Sequence, residues 1–360
     1  MASENKAPPL KIGFSKGPTI KLKKPKKIGA IHKKAADIYT KMEHCEHILL
    51  KPDTYLGSAE PEKTLTHVYQ QLSTTIIPKE VTLTPGFYKC FDELLVNAHD
   101  HKKRMDKACS TPHENHHIVS TIKVNINDDN SISFYNDGDG ILIEYMEEHK
   151  MYPPTLIFGS LLSGTNFDDN EAREWGGRNG YGAKLANIFS EKFIVETVCH
   201  INKKRFVQTF TNNMKDKTEP IITSAKCKPY TKITWHPDFK RFHMDGLDED
   251  IKALMSKRVY DIAGVTDKDT KIYLNESIIE VKTFEKYVDL YIGNKETTSR
   301  VFEEGLGWQI IATCSDDDIF QQVSFVNGIS TSRGRTHVDY ISDQIKTKLA
   351  EFLKKKKKID

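Results

Sequence analysis

Apolar residues recur at helical spacing after Thr84, where Phe87, Phe91, Leu94, Leu95 and Ala98 fall on one stripe. Thr84 suits an N-cap and Pro85 the first helical position, so the spacing predicts a helix from 85 to about 107 with that stripe against a core. The period then changes. Residues 121–126 and 132–135 alternate apolar with polar around Asn127-Asp128-Asp129-Asn130, which predicts a β-hairpin. Its second strand runs into Asn136-Asp137-Gly138-Asp139-Gly140, where the glycines permit a sharp turn. Further strands are expected at 193–198, 206–210 and 232–235, and a helix over 183–188. The pattern restarts at 271–274 and again at 322–327, which places a domain boundary near 265 and gives units of 35–265 and 266–360. Residues 1–34, with four prolines and no periodicity, read as a disordered arm.

Composition adds little to that outline except through charge. The 360 residues suffice for about two domains with cores, and no apolar run approaches the ~18–20 residues of a bilayer span. Neither membrane insertion nor secretion is expected. Six cysteines are scattered without a C-x-x-C pair, so no disulfide framework or thiolate zinc site is indicated and a reducing compartment fits. The net charge of +3 is unevenly spread: residues 1–34 carry +9 and residues 354–360 carry +4, leaving −10 on the body. Basic ends on an acidic body point to a polyanion or an import receptor, or else to solvated tails.

Candidate chemistry centres on the first helix. Glu93 and Asn97 are four residues apart and share a face at the edge of the apolar stripe, where a carboxylate and a carboxamide are costly unless a cation-bound ligand satisfies them. An ordinary polar helix face has the same appearance. Two glycine signatures accompany the pair: Asn136-x-Gly138-x-Gly140 and Gly177-Arg178-Asn179-Gly180-Tyr181-Gly182, the second leading into Ala183-Lys184-Leu185. Glycines before a helix let backbone N–H groups approach a polyphosphate, and Lys184 can add a point charge. No Walker A sequence is present, and the second glycine signature opens no βαβ unit. His113, His116 and His117, with His99 and His101, match no zinc-ligand spacing and are expected in a solvated loop.

The order E-x-x-x-N, N-x-G-x-G, G-x-x-G-x-G resembles the Bergerat, or GHKL, ATPase superfamily. The segments Glu46-His47-Ile48-Leu49-Leu50-Lys51-Pro52-Asp53-Thr54-Tyr55-Leu56-Gly57-Ser58, Phe91-Asp92-Glu93-Leu94-Leu95-Val96-Asn97-Ala98, Gly176-Gly177-Arg178-Asn179-Gly180-Tyr181-Gly182-Ala183-Lys184 and Ser324-Phe325-Val326-Asn327-Gly328 narrow it. They resemble the N-terminal ATPase region of eukaryotic-type (type IIA) DNA topoisomerase II. The resemblance implies an α+β fold, a GHKL sandwich with a mixed sheet and helices on one face, followed by the first part of a transducer with a βαβ core. It implies ATP and Mg²⁺ as cofactors. Glu93 is then the general base, Asn97 the Mg²⁺ ligand and Asn136 the adenine reader. Gly164, Thr165 and Asn166 approach the ribose and phosphates, and Gly177, Arg178, Asn179, Gly180, Tyr181, Gly182, Ala183 and Lys184 form a phosphate lid. Tyr39 belongs to a strap reaching a second protomer, making a homodimer. Lys354, Lys355, Lys356, Lys357 and Lys358 contact double-stranded DNA without reading its sequence. The location implied is the nucleus, or the viral or cytoplasmic site of DNA replication for a virus.

Some positions depart from the family's usual pattern. His101 stands in place of Asn, Asp139 in place of Lys, Gly164 in place of Ser, and Arg335 interrupts a Gly-Gly pair. An aspartate near phosphates weakens nucleotide affinity unless it points away. The family's transducer continues past the lysine run and supplies a Gln-x-Lys loop that touches the γ-phosphate, with DNA-cleaving domains beyond. The chain is therefore expected to bind ATP, hydrolyse it poorly and not break DNA alone. Two alternatives stand beside this reading, a non-hydrolysing nucleotide-dependent clamp and another GHKL ATPase of the chaperone or mismatch-repair kind. The latter shares the short motifs but not the full 176–184 run.

Overall fold

The computed structural model describes residues 42–110, 115–161, 180–305, 307–315 and 319–357. The chain divides after Glu43, and the elements below belong to the unit that begins at His44. Helix α1 (His44–Leu50) leads to a hairpin of β1 (Glu62–Gln70) and β2 (Thr75–Leu83), then to the long helix α2 (Pro85–Cys109). Next come β3 (Thr121–Ile126), β4 (Ile132–Asp137), α3 (Pro153–Gly159), α4 (Gly182–Ile188), β5 (Ser190–Val198) and β6 (Lys204–Thr211). Strands β7 (Asp216–Lys217), β8 (Ile221–Ser224) and β9 (Tyr230–Pro237) precede α5 (Glu249–Val265), β10 (Lys271–Leu274) and β11 (Ser277–Ile278). The remainder holds α6 (Phe284–Ile292), the hairpins β12 (Arg300–Gly305) with β13 (Trp308–Thr313) and β14 (Phe325–Val326) with β15 (Ile329–Ser330), and α7 (Thr336–Lys357).

Nine strands make one sheet in the order β11-β10-β3-β4-β9-β5-β6-β7, with β8 also on β6. Its pairings are antiparallel except that β10 runs parallel to β3. Thus β10 and β11, which follow residue 265, complete the sheet begun before it. The apolar stripe of α2 packs on one face: Phe87 stacks on Trp235 with ring centres 5.3 Å apart and Phe91 meets Phe134 at 5.5 Å. All four rings are buried, each contributing roughly 1.5–3 kcal/mol of transfer free energy. The opposite face is open, a groove lined by Lys123, Tyr135, Lys232, Lys271 and Tyr273. The result is the expected α+β arrangement of a mixed sheet with helices on one side. Among the described residues no helix is long and apolar enough to cross a membrane.

Two local expectations need correction. Thr84 occupies the N-cap of α2 but its hydroxyl does not cap the helix; being buried, it donates to the Phe242 carbonyl at 3.2 Å. The strand expected over 322–327 shrinks to β14, because Gln322 turns its side-chain amide to the carbonyls of Thr331 and Ser332 while Asn327 and Gly328 take positive φ to reverse the chain.

Helix α5 holds these parts together. Asp248 caps it by accepting from the Ile251 N–H at 2.8 Å, and Tyr260 stacks on Tyr69 of β1 with ring centres 4.1 Å apart. Arg258, 1% exposed, donates through Nε to Asp92 Oδ1 at 2.7 Å and through Nη2 to the Gly328 carbonyl at 2.7 Å. Asp261, fully buried, lies 3.8 Å from the same guanidinium and accepts from Lys257 Nζ at 2.9 Å and the Tyr287 hydroxyl at 2.7 Å. Burial opposes the charge on Arg258, but Asp92 and Asp261 more than offset it and hold the guanidinium firmly protonated. One side chain thereby ties α2, α5 and the β14–β15 turn together. Removing it takes from Asp92 its buried cation and leaves Asp261 with Lys257 alone, so Arg258→Ala is expected to cost about 3–5 kcal/mol of unfolding free energy in urea denaturation. Arg258→Lys recovers only part of that, since an ammonium cannot span both partners in the guanidinium's fork.

Candidate nucleotide site

Glu93 and Asn97 lie on one face of α2, Glu93 half-buried and Asn97 exposed. Glu93 is ion-paired: Oε1 is 2.6 Å from Lys89 Nζ, one turn earlier. Burial pulls the Lys89 ammonium down, and the charge and hydrogen bond of Glu93 more than restore it, leaving it above its ordinary value. Sequence reading passed over Lys89, although its four-residue spacing from Glu93 was the available signal.

The second glycine signature reaches this face from α4. A Cβ built on Gly182 would sit 2.0 Å from Glu93 Oε2 and 2.8 Å from its Cδ, so only a glycine lets the backbone come this close. The first signature reaches the same helix two turns on. A Cβ on Gly138, where φ is +110°, would lie 2.8 Å from His101 Nε2. Glu93 and His101 are eight residues apart, about 12 Å along the axis, and share a face. The two glycine turns therefore close on the two ends of one stripe of α2, with Asn97 between them. Asn136, at the end of β4, is buried and its Nδ2 donates to the Asp137 carbonyl at 2.9 Å. The His101 imidazole is held neutral by burial, its pKa lowered to about 4.

Lys184 of α4 is 2% exposed and its Nζ donates to the Gly180 carbonyl at 2.6 Å. Desolvation lowers its pKa to about 8. Asp139, the departure from the usual lysine, is buried with its carboxylate engaged by the His116 ring at 2.6 Å and the His117 backbone N–H at 2.7 Å. Tyr39, Gly164, Thr165, Asn166, Gly177, Arg178, Asn179 and Lys358 lie outside the described residues. Lys354, Lys355 and Lys356 are exposed on the last turns of α7, which Lys357 ends.

A family model described as DNA gyrase B matches residues 267–360. The fold aligns with the ATPase region of Saccharomyces cerevisiae topoisomerase II at a TM-score of 0.81 and 43% identity, covering 89% of this chain and 82% of that one. The chain belongs to the DNA topoisomerase II family. Among other topoisomerase II structures, the ATPase and transducer domains of the Balamuthia mandrillaris protein align at a TM-score of 0.81 with 41% identity, over 90% of this chain and 80% of that one. DNA topoisomerase 2-alpha of Gallus gallus is 48% identical over 328 residues, and DNA topoisomerase 2 of Meyerozyma guilliermondii 44% over 342. These alignments cover 89% and 90% of this chain but 20% and 24% of those relatives, so the chain spans about a fifth to a quarter of their length.

Within the candidate site Lys184 gives a direct electrostatic test. Its folded pKa of about 8 lies below the 10.5 of free lysine, so the unfolded chain holds more protons between those values. Stability contributed by this group therefore rises with pH across that window. Urea midpoints from about pH 8 to about pH 10 should show the rise, and Lys184→Met should remove this component of it.

Proposed function

We propose that this chain is the ATP-binding and ATP-hydrolysing gate of a type II DNA topoisomerase, in which Mg²⁺-ATP closes two copies around a DNA duplex and hydrolysis reopens them. What carries the reading is the convergence of Gly182 and Gly138 on the two ends of the α2 stripe that bears Glu93 and Asn97. The first turn brings peptide backbone to the carboxylate, as a phosphate cradle requires; the second brings the base-reading strand end to the same helix. The donor set suits the cofactors. A carboxamide oxygen at Asn97 is a hard ligand and would hold Mg²⁺, which would supply charge neutralisation for an anionic phosphate.

In this reading Glu93 orients and deprotonates the attacking water, which requires its carboxylate to exchange Lys89 for that water. Asn136 presents its side-chain oxygen to the exocyclic amine of adenine. Lys184, desolvated beside Gly180, has its charged form favoured again when an anionic phosphate arrives. Thr165, Asn166 and 177–179 complete the cradle, and Tyr39 reaches the partner's site. Nucleotide shifts the open and closed populations only as far as it binds the closed dimer better. The lysines at the end of α7 contact DNA phosphates, a sequence-independent and salt-sensitive interaction. Residues 266–360 would act as transducer, with β10 and β11 rooted in the nucleotide unit's sheet. A nuclear site of action accords with relatives from eukaryotes; in a virus it would be the site of DNA replication.

The Lys89–Glu93 pair favours a second reading, a clamp that binds nucleotide without turnover because its base is occupied. Calorimetry with a non-hydrolysable ATP analogue and Mg²⁺, set beside steady-state turnover, separates the two. Asn97→Ala should weaken binding by about tenfold or more, or about 1.4 kcal/mol. Glu93→Gln should keep binding within a few-fold and lower turnover by about 10²–10⁴. Loss of binding in Glu93→Gln with normal binding in Asn97→Ala would reverse the assignment. Turnover that appears only in Lys89→Ala would establish the clamp.

A further inference from the structure

Of the histidines expected in a solvated loop, His117 is exposed there, whereas His116 is half-buried. His116, at the entry to β3, and His200, just past β5, converge on Asp139, with one ligand atom of each within 4.8 Å of the others. Asp139 Oδ2 is 2.6 Å from His116 Nδ1, and its Oδ1 is 3.6 Å from His200 Nδ1 and 3.4 Å from His117 Nδ1. The rings of His117 and His200 have centres 5.4 Å apart. Two chain segments distant in sequence thus deliver three imidazoles to a carboxylate on a third.

We propose that His116, His200 and Asp139 form a binding site for a divalent transition-metal ion of the zinc type. The donor set selects the metal. Imidazole nitrogens with one carboxylate oxygen suit Zn²⁺ and its neighbours, whereas Mg²⁺ and Ca²⁺ take oxygen shells. Zinc ligands at about 2.0–2.2 Å in a tetrahedron stand about 3.4 Å from one another, and the separations here bracket that value. Asp139 is 6% exposed, so its surroundings are dry enough for a charged ligand to matter. Metal entry releases to solvent the proton shared by His116 Nδ1 and Asp139 Oδ2. The site also has a fixed floor, because the Asp139 carbonyl accepts from both the His200 backbone N–H and its Nδ1–H, each at 3.1 Å, and metal bound at that Nδ1 displaces its proton to solvent as well. Its occupancy does not depend on the nucleotide reading.

The test uses the full chain stripped with chelator and titrated in the absence of nucleotide, with Zn²⁺ followed by calorimetry and Co²⁺ by visible absorption. One equivalent per chain, tetrahedral d–d bands for Co²⁺ and a zinc-dependent rise in melting temperature are expected. Asp139→Asn and His200→Ala should each weaken Zn²⁺ at least about tenfold, while Asn97→Ala leaves it unchanged. His116→Gln and His200→Gln, which keep hydrogen-bonding shape, serve if the first pair does not fold. Failure of the parent chain to bind saturably overturns the site. So does binding that persists in the ligand variants, which would assign the metal to the exposed thiols of Cys227 and Cys314.

Discussion

A guanidinium withdrawn from water has to be balanced where it lies, and Arg258 is balanced by Asp92 on a different helix from its own. That constraint fixes the rest. Asp92 immediately precedes Glu93, and successive residues on a helix are about 100° apart, so anchoring Asp92 inward sets the direction in which Glu93 faces. The same guanidinium holds the Gly328 carbonyl, which joins the hairpin after α6 to the helix that carries the candidate site. Buried ion pairs often contribute little net stability, because desolvation cancels their attraction. What this one supplies is register: α2, α5 and the β14–β15 turn have one arrangement in which every charge is met.

A second consequence of the close packing around α2 is the state of its histidines. His99 packs so closely under Gly328 that a Cβ there would approach its Nδ1 to 2.5 Å, and desolvation lowers its pKa to about 3. Like His101 under Gly138, it serves as a neutral aromatic plate on which a glycine-bearing turn rests. Glycines in this fold thus act at α2 chiefly by thinness. They bring backbone from three separate loops against one helix without the layer of side chains that usually intervenes.

Much of this was legible in the chain. The stripe of Phe87, Phe91, Leu94, Leu95 and Ala98 predicted α2 and its buried face, because a 25-residue helix repeats its period often enough to be unambiguous. The hairpin around Asn127-Asp128-Asp129-Asn130 and the strand at 271–274 were equally clear, since alternation and turn chemistry agree there. The hairpin β1–β2 escaped, its strands being largely exposed and so without a marked alternation, as in Lys63-Thr64-Leu65-Thr66. In the site, Glu93, Asn97 and Lys184 could be named from spacing, but their environments could not. That Lys89 neutralises Glu93 and that Lys184 is sealed against Gly180 are four-residue contacts, which spacing permits but does not require, whereas the imidazoles around Asp139 come from residues far apart in the chain. Nothing in a linear pattern announces that His116 and His200 share a carboxylate.

The parallel pairing of β10 with β3 sets a schedule for making the protein. Lys271 lies beside Thr121, so a strand made early must wait 150 residues for its neighbour. At the usual pace of synthesis that interval is roughly 8–30 s. Throughout it, β3 presents an unpaired edge, and the lysine at its centre, Lys123, is the kind of charge that discourages such an edge from pairing with another nascent chain.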